Sequence, residues 1–293
     1  MLRGMFKRQR TGSVVCASCG SLVGVNDERC YTCGRRNPGL WGFGPLLRSL
    51  GNDFGFVPLV VYGCSFLYGA GLIVTVAMGR NVMAGGSLFG LLSADPVVNI
   101  ALGESGAVPI FVYGMWWTVL SAGWLHGGAL HILFNMMAFR QLAPAIADIY
   151  GGPRMVIIYT VSSACGFLLS SCAGAYMPRI PILGGASFTL GASAAIFGLL
   201  GALMPYGRRG GSSIMRAQVT SYAVSMFIFG LIMPGIDNYA HAGGFLGGYL
   251  ASAWLDPLKP PSVNHMIGAL ACLVATVLAI AASLIKVYPA LLP

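Results

Sequence analysis

Residues 191–198 read Gly-Ala-Ser-Ala-Ala-Ile-Phe-Gly, a run of small side chains that carries one hydroxyl, Ser193, into an apolar segment. Small residues in a hydrophobic segment usually allow two transmembrane helices to pack closely, and packing alone would account for the run. Three of the four histidines, at 126, 131 and 241, also lie in or beside apolar segments. A hydroxyl and several imidazoles in apolar surroundings indicate a reaction site.

The composition is typical of a membrane protein. Hydrophobic residues make up 56% of the 293 residues and charged residues only 9%, whereas a soluble domain has about a quarter charged. A net charge of +9 could indicate nucleic acid, but eight of the 17 Lys and Arg residues precede residue 50. A basic flank of this kind is typical of the cytoplasmic side of a membrane protein. We therefore expect a lipid bilayer and no nucleic acid as the partner, and no signal peptide, because the first apolar stretch begins only near Val57.

Seven segments are apolar over the length of about 20 residues that a membrane-spanning helix needs. Residues 80–125 are interrupted by glycines, prolines and acidic residues, and we expect an amphipathic loop there, partly in the outer leaflet. The predicted spans are 57–78, 128–147, 154–174, 187–205, 217–234, 238–255 and 265–287.

The basic residues between the spans predict the orientation, because Lys and Arg concentrate in cytoplasmic loops. With a cytoplasmic N-terminus, the inner loops carry Arg154, Arg208, Arg209, Arg216 and Lys259, and the outer side carries Arg80, Arg179 and Lys286. This distribution favours a cytoplasmic N-terminus and an extracytoplasmic C-terminus, in the plasma membrane. His131, Ser193 and His241 then each lie in the first turn or two of an inward-running span, within the outer third of the bilayer.

A serine hydroxyl is a poor nucleophile until a base takes its proton, and a neutral imidazole suits that role. His241 is the candidate base, because Gly244 and Gly248 follow it at helical spacing and leave a helix face open to the small residues around Ser193. Phe197 shares a helix face with Ser193, which predicts stacking on the imidazole, although core packing would also explain it.

Carboxylates within the predicted helices give His241 no evident partner. Asp148 falls at the inner end of span two and Asp237 in the loop before span six. The sequence therefore predicts a Ser-His dyad rather than a triad.

Acyl transfer also needs hydrogen-bond donors at the developing oxyanion. His131 and Asn135 are spaced i, i+4 and project from one helix face. Either residue alone would more often form an interhelical hydrogen bond, but the pair at the depth of Ser193 fits oxyanion donors better. His126 lies off that face, and we assign it a structural role.

Four cysteines before the first span form a paired CxxC array, Cys16, Cys19, Cys30 and Cys33, with a glycine after each pair. This spacing is typical of a tetrahedral zinc site that would supply much of the folding energy of a small segment. Disulfides and a redox-active CxxC are the alternatives, but a reducing cytoplasm and the absence of a βαβ pattern disfavour them. Zinc is therefore the expected cofactor, with a structural role.

Taken together, three motifs resemble the rhomboid family of intramembrane serine proteases. They are His126 with His131 and Asn135, then Gly191-Ala-Ser193 with Phe197, then Ala240-His241 with Gly244 and Gly248. The resemblance implies a six-helix core in which Ser193 is the nucleophile and His241 the base. It implies that His131, Asn135 and the Ser193 amide are the oxyanion donors. It also implies cleavage of transmembrane protein substrates without a catalytic metal.

Two positions depart from the pattern of that family. Ala194 stands where glycine is common, and Thr118 follows Trp116-Trp117 where many members carry arginine, so the loop before span two lacks that arginine as an anchor.

We therefore predict an all-α membrane protein with a six-helix rhomboid-like core, a seventh C-terminal transmembrane helix and a small N-terminal zinc-binding segment. The predicted units are a zinc-ribbon-like segment 1–38, a linker 39–56, a catalytic core 57–255, and a linker with the seventh helix 256–293. Binding a cytoplasmic partner is one role that the zinc segment could have. The alternatives to a protease are a non-catalytic rhomboid-like binder of membrane proteins and a transporter. A transporter would need ionisable residues at several depths.

Overall fold

The computed structural model describes residues 8–44, 55–83, 90–177, 184–209, 212–233, 235–259 and 262–291. Arg179 and residues 45–54 of the predicted linker lie outside the described residues. In chain order the α-helices are α1 (Phe56–Ala77), α2 (Pro96–Leu102), α3 (Thr118–Ser121), α4 (Ala129–Tyr150), α5 (Gly152–Tyr176), α6 (Ser193–Arg209), α7 (Ser213–Ile232), α8 (Asn238–Trp254) and α9 (Val263–Leu291). Over these described ranges the fold is all-α apart from one small hairpin.

Each of the seven predicted spans overlaps one long helix, although α6 begins at Ser193 rather than at residue 187. Among the described helices, α1, α5, α7 and α9 are long and apolar enough to cross a membrane. Helices α6 and α8 are only 17 residues each, and α4 contains charged and polar residues. The other three long helices, α4, α6 and α8, carry Ser193, His241, His131 and Asn135. Their polar and small side chains make them less apolar than the other four.

Helices α5, α6 and α8 pack closely at the centre of the bundle. The predicted glycine face of α8 makes this approach possible: a Cβ at Gly244 would lie 2.0 Å from the Ala194 carbonyl oxygen, and one at Gly248 would lie 1.9 Å from that of Gly198. Both distances are far below van der Waals contact, so no larger residue fits. The small residues of the two motifs therefore bring the backbones of α6 and α8 together, as predicted.

Residues 90–125, the segment before α4, contain more regular structure than the amphipathic loop that the sequence suggests. They include α2, α3, a π-helical turn at Val108–Val112 and a 3-10 turn at Ala122–Trp124. Ser105 and Thr189 exchange two backbone hydrogen bonds of 3.0 and 2.7 Å, and Ala107 N–H donates to the Ala186 carbonyl at 3.0 Å. This strand-like pairing explains why α6 begins at Ser193 and not near residue 187.

Helix α9 holds the same segment from another side. The Trp117 indole donates to Ser283 Oγ at 3.0 Å, and the Lys286 ammonium donates to the Tyr113 carbonyl. Thr118 Oγ1 lies 2.8 Å from the Met115 carbonyl oxygen. The segment is thus anchored by the seventh helix and by its own hydroxyls, although Thr118 replaces the arginine common in the family.

The cysteine-rich segment folds as a hairpin of β1 (Ser13–Val15) and β2 (Leu22–Gly24), which pair antiparallel. It contacts the start of α9, where the Val263 N–H donates to the Ala17 carbonyl at 2.8 Å. The Arg35 guanidinium donates to Asn264 Oδ1, also at 2.8 Å. The loop between the first two cysteines therefore satisfies a backbone N–H in the first turn of a helix, a group that the helix itself leaves without a partner.

Candidate active site

Ser193 is the first residue of α6, and its position follows from the turn before it. Gly191 has φ +132, a backbone conformation that side chains other than glycine rarely adopt. This turn ends the extended segment that pairs with residues 105–108 and begins the helix. Ser193 remains partly exposed while its neighbours Ala192 and Ala194 are buried. As the first helical residue, its N–H has no partner within the helix.

The imidazole of His241 lies against the hydroxyl of Ser193. The distance between His241 Nε2 and Ser193 Oγ is 2.9 Å, within hydrogen-bond range. The ring is buried and stacks on Phe197, with centroids 4.1 Å apart and planes 11° apart. Thus the predicted contact between Phe197 and the imidazole is present. Stacking on one face and the hydrogen bond at the edge fix the orientation of the ring.

The other ring nitrogen of His241 has no carboxylate beside it. His241 Nδ1 is buried and makes no hydrogen bond to any part of the chain that the structure describes. The Asp237 carboxylate bonds to Ser170, Thr189 and the Ala240 N–H instead of to the imidazole. Within the described residues the arrangement is therefore a pair, Ser193 and His241, without an acidic third member.

His131 faces the same space from α4. Its Nδ1 lies 3.3 Å from the Gly127 N–H, which donates to it. A nitrogen that accepts carries no proton, so in the neutral ring Nε2 is the protonated nitrogen and a donor. A Cβ built on Gly191 would lie 2.7 Å from His131 Nε2 and 3.8 Å from Ser193 Oγ. The imidazole N–H and the serine hydroxyl thus border one small space above Gly191.

Asn135 and His126 flank His131. Asn135 is buried, and its Nδ2 donates to the His131 carbonyl at 2.9 Å, which leaves one of the two amide hydrogens for another acceptor. His126 is buried, and its ring meets that of His131 edge to face at 5.3 Å. This contact limits how the His131 ring can turn.

Asp148, the acidic residue of α4, lies near the far end of that helix.

Residues 113–257 match the family model described as the rhomboid domain. The chain contains a rhomboid domain. The match includes every residue of the three motifs and leaves out the cysteine-rich segment, α1, α2 and all of α9. The protein is accordingly a multi-pass integral membrane protein with an all-α rhomboid fold.

Curated relatives include both proteases and rhomboid-like proteins. The chain is 32% identical over 149 residues to "Rhomboid protease GluP" of Bacillus subtilis (strain 168), covering 50% of this chain and 27% of that protein. It is 31% identical over 142 residues to "RHOMBOID-like protein 7" of Arabidopsis thaliana, covering 46% and 41%. It is 30% identical over 164 residues to "Rhomboid-like protease 5" of Toxoplasma gondii, covering 54% and 18%. The chain thus spans less than half of the length of each of these rhomboid relatives.

Outside the rhomboid domain, the four predicted cysteine ligands come together. The sulfur atoms of Cys16, Cys19, Cys30 and Cys33 all lie within 4.8 Å of one another. The sulfurs of Cys16 and Cys33 are 3.8 Å apart and those of Cys19 and Cys30 are 3.6 Å apart. Four thiolates at about 2.3 Å from a tetrahedral zinc ion are separated by about 3.8 Å. The cluster could therefore hold a metal ion with little rearrangement.

The thiols of this cluster have pKa values shifted in different directions. A backbone hydrogen bond from Arg35 lowers the pKa of the Cys33 thiol, but burial and the neighbouring thiols outweigh it and raise that pKa to about 11. Hydrogen bonds from the side chain and backbone of Ser21 lower the pKa of the Cys19 thiol to about 6. Since the thiolate is the form that binds metals, this shift favours ligation at neutral pH.

Proposed function

We propose that this protein is an intramembrane serine endopeptidase that cleaves transmembrane protein substrates. The observation that carries the proposal is the 2.9 Å contact between Ser193 Oγ and His241 Nε2 in a packed, largely apolar site. A general base must lie within hydrogen-bond reach of the proton it removes. The rhomboid domain and the relatives that are named proteases support the same assignment.

In the proposed reaction, His241 Nε2 takes the proton of Ser193 Oγ while that oxygen attacks the carbonyl carbon of the scissile peptide bond. The negative charge that develops on the carbonyl oxygen would be bound by the Ser193 N–H, the His131 Nε2–H and the second amide hydrogen of Asn135. The protonated imidazole then gives its proton to the leaving amine. Water completes the cycle by hydrolysing the acyl-enzyme, with His241 again acting as the base.

We further propose the plasma membrane as the location, with a cytoplasmic N-terminus and the active site in the outer third of the bilayer. The basic residues before α1 support this orientation. We propose that residues 57–255 form the catalytic unit. Residues 256–293 add a linker and the seventh helix.

The most direct experiment is covalent labelling by a fluorophosphonate, which reacts only with an activated serine. The purified wild-type protein in detergent should be labelled at Ser193, because His241 increases the nucleophilicity of that hydroxyl. The Ser193→Ala variant should give no label, and the label should be located by mass spectrometry of the peptide. A wild-type protein that stays unlabelled under conditions that label another serine protease would contradict the proposal and favour the non-catalytic binder.

We also propose that the four cysteines bind one structural zinc ion. The segment would lie on the cytoplasmic side, before α1, whereas Ser193 would lie in the outer third of the membrane. About 20 Å or more of bilayer would then separate the two sites. The metal would therefore hold the hairpin together and take no part in the cleavage step.

This separation predicts that the metal can be removed without loss of catalysis. Wild-type protein should contain one zinc ion per chain, and Cys16→Ser or Cys33→Ser should lose it. Turnover of a model transmembrane substrate in detergent should change less than about threefold, because no catalytic residue contacts the cluster. Metal content by atomic emission and turnover of the same preparations measure both quantities.

Cys172→Ser is the matched control, since Cys172 lies in α5 and away from the cluster. It should keep its zinc and its turnover. A cluster variant that is folded and metal-free but fails to cleave in detergent would contradict the separation. If the variants fail only in cells, the segment recruits or regulates through a cytoplasmic partner.

A further inference from the structure

We infer that Asp237 is a positioning residue, which sets the distance between the backbone segment that leads into Ser193 and the helix that carries His241. The inference rests on the proposed function, because it concerns how the nucleophile and the base are held together. Asp237 directly precedes α8, and its carboxylate makes no hydrogen bond to the imidazole.

The Asp237 carboxylate joins three separate elements. Its Oδ2 accepts a hydrogen bond from Ser170 Oγ of α5 at 2.5 Å and one from Thr189 Oγ1 at 2.7 Å. Its Oδ1 accepts from the Ala240 N–H at 2.9 Å and so caps the first turn of α8. The carboxylate thus holds an α5 side chain, the segment before Ser193 and the first turn of α8 at one point.

Thr189 connects this carboxylate to the nucleophile. It lies four residues before Ser193 and is 7% exposed. Its backbone is fixed by the two hydrogen bonds to Ser105, and its side chain by Asp237. The only chain between this fixed point and Ser193 is the short turn through Gly191, so a displacement of Thr189 would move the serine.

The connection from Asp237 to the base is equally short. His241 follows four residues later, and its N–H donates to the Asp237 carbonyl at 3.1 Å as part of the first turn of α8. A helical turn is rigid, so the position of Asp237 fixes the point from which the His241 side chain projects from α8. Ser170 Oγ supports the carboxylate from α5 and also accepts from the Ala186 N–H at 3.2 Å.

The role that follows is mechanical and differs from that of the acid in a catalytic triad. His241 Nδ1 makes no hydrogen bond to the described residues, so Asp237 neither selects the tautomer of the ring nor stabilises its charged form by contact. Asp237 contributes by holding Ser193 Oγ and His241 Nε2 at their separation of 2.9 Å. A loss of alignment of about 1 Å lowers rates by about a hundredfold in enzymes that depend on such spacing.

The sharpest test compares Thr189→Val with Thr189→Ser. Valine has the shape of threonine but no hydroxyl, whereas serine keeps the hydroxyl and loses only a methyl group. Thr189→Val should lower kcat for a model transmembrane substrate about tenfold or more, with KM within about twofold. The rate of fluorophosphonate labelling should fall in parallel. Thr189→Ser should restore both rates to within about threefold of wild type.

Further variants and one control extend the test. Ser170→Ala removes the other hydroxyl on Oδ2 and should lower kcat in the same direction. Because Thr189 and Asp237 act through one contact, the double variant of Thr189→Val with Asp237→Asn should lose less than the product of the two single losses. Thr160→Val removes a buried hydroxyl of α5 that bonds within its own helix, and should leave kcat unchanged.

The outcomes separate this inference from the proposed function. Wild-type protein that neither labels nor cleaves would refute the proposed function itself. Wild-type activity in a folded Thr189→Val variant, or equal losses in Thr189→Val and Thr189→Ser, would refute only the positioning role. If Thr189→Val elutes as an aggregate, Ser170→Ala decides: a folded Ser170→Ala variant with wild-type kcat and labelling rate would likewise refute it.

Discussion

Ser193→Ala and His241→Ala are each expected to abolish cleavage of a model transmembrane substrate while folding and membrane insertion stay nearly intact. The first variant removes the attacking oxygen and the second removes the base that lies 2.9 Å from it. Members of a nucleophile and base pair act as a unit, so the double variant should be no less active than either single variant. Turnover of purified protein, measured as the appearance of a cleaved product, is the readout.

Ser171→Ala is the matched control, because Ser171 is a buried serine of α5 whose hydroxyl bonds only to its own helix. It should cleave at the wild-type rate. Thermal unfolding and gel filtration of all variants establish that they are folded. If either Ser193→Ala or His241→Ala kept more than a few per cent of wild-type turnover, the dyad assignment would be wrong.

The positions of the long helices could be predicted from the sequence, because a run of about 20 apolar residues is a local signal. All seven predicted spans are helices, and the ends differ by a few residues in most cases. The exception is α6, which begins at Ser193 rather than 187. Residues 187–192 are not helical, because the segment 186–189 pairs with residues 105–108. A pairing between segments so far apart in the chain leaves no local pattern in the sequence.

The contact of Ser193 with His241 could be anticipated for a different reason. The small residues of α6 and the glycines of α8 permit close packing of the two helices, and Ser193 and His241 lie near the same end of these helices. The role of Asp237 was missed, since the sequence places it in a loop. One signal was available: an aspartate directly before a helix is a common N-cap. Its other partners, Ser170 and Thr189, come from distant parts of the chain.

Asn135→Ala is expected to lower kcat by about 10²–10³ with a smaller change in KM, the loss typical of one missing oxyanion donor. Asn135 Nδ2 already gives one hydrogen to the His131 carbonyl, so the second hydrogen is the one available to substrate. That bond also holds the amide at a fixed place on α4. Fluorophosphonate labelling of Ser193 should become slower but persist, because the nucleophile and its base are untouched.

A second substitution separates donation from packing at this position. Asn135→Asp keeps the size of the side chain but replaces the donor with oxygens that cannot donate when ionised, so its loss should equal or exceed that of Asn135→Ala. Asn99→Ala is the control, since Asn99 is also a buried asparagine but lies in α2, outside the matched rhomboid domain. Equal turnover in Asn135→Ala and wild type would reduce Asn135 to a packing residue and leave the oxyanion to His131 and the Ser193 N–H.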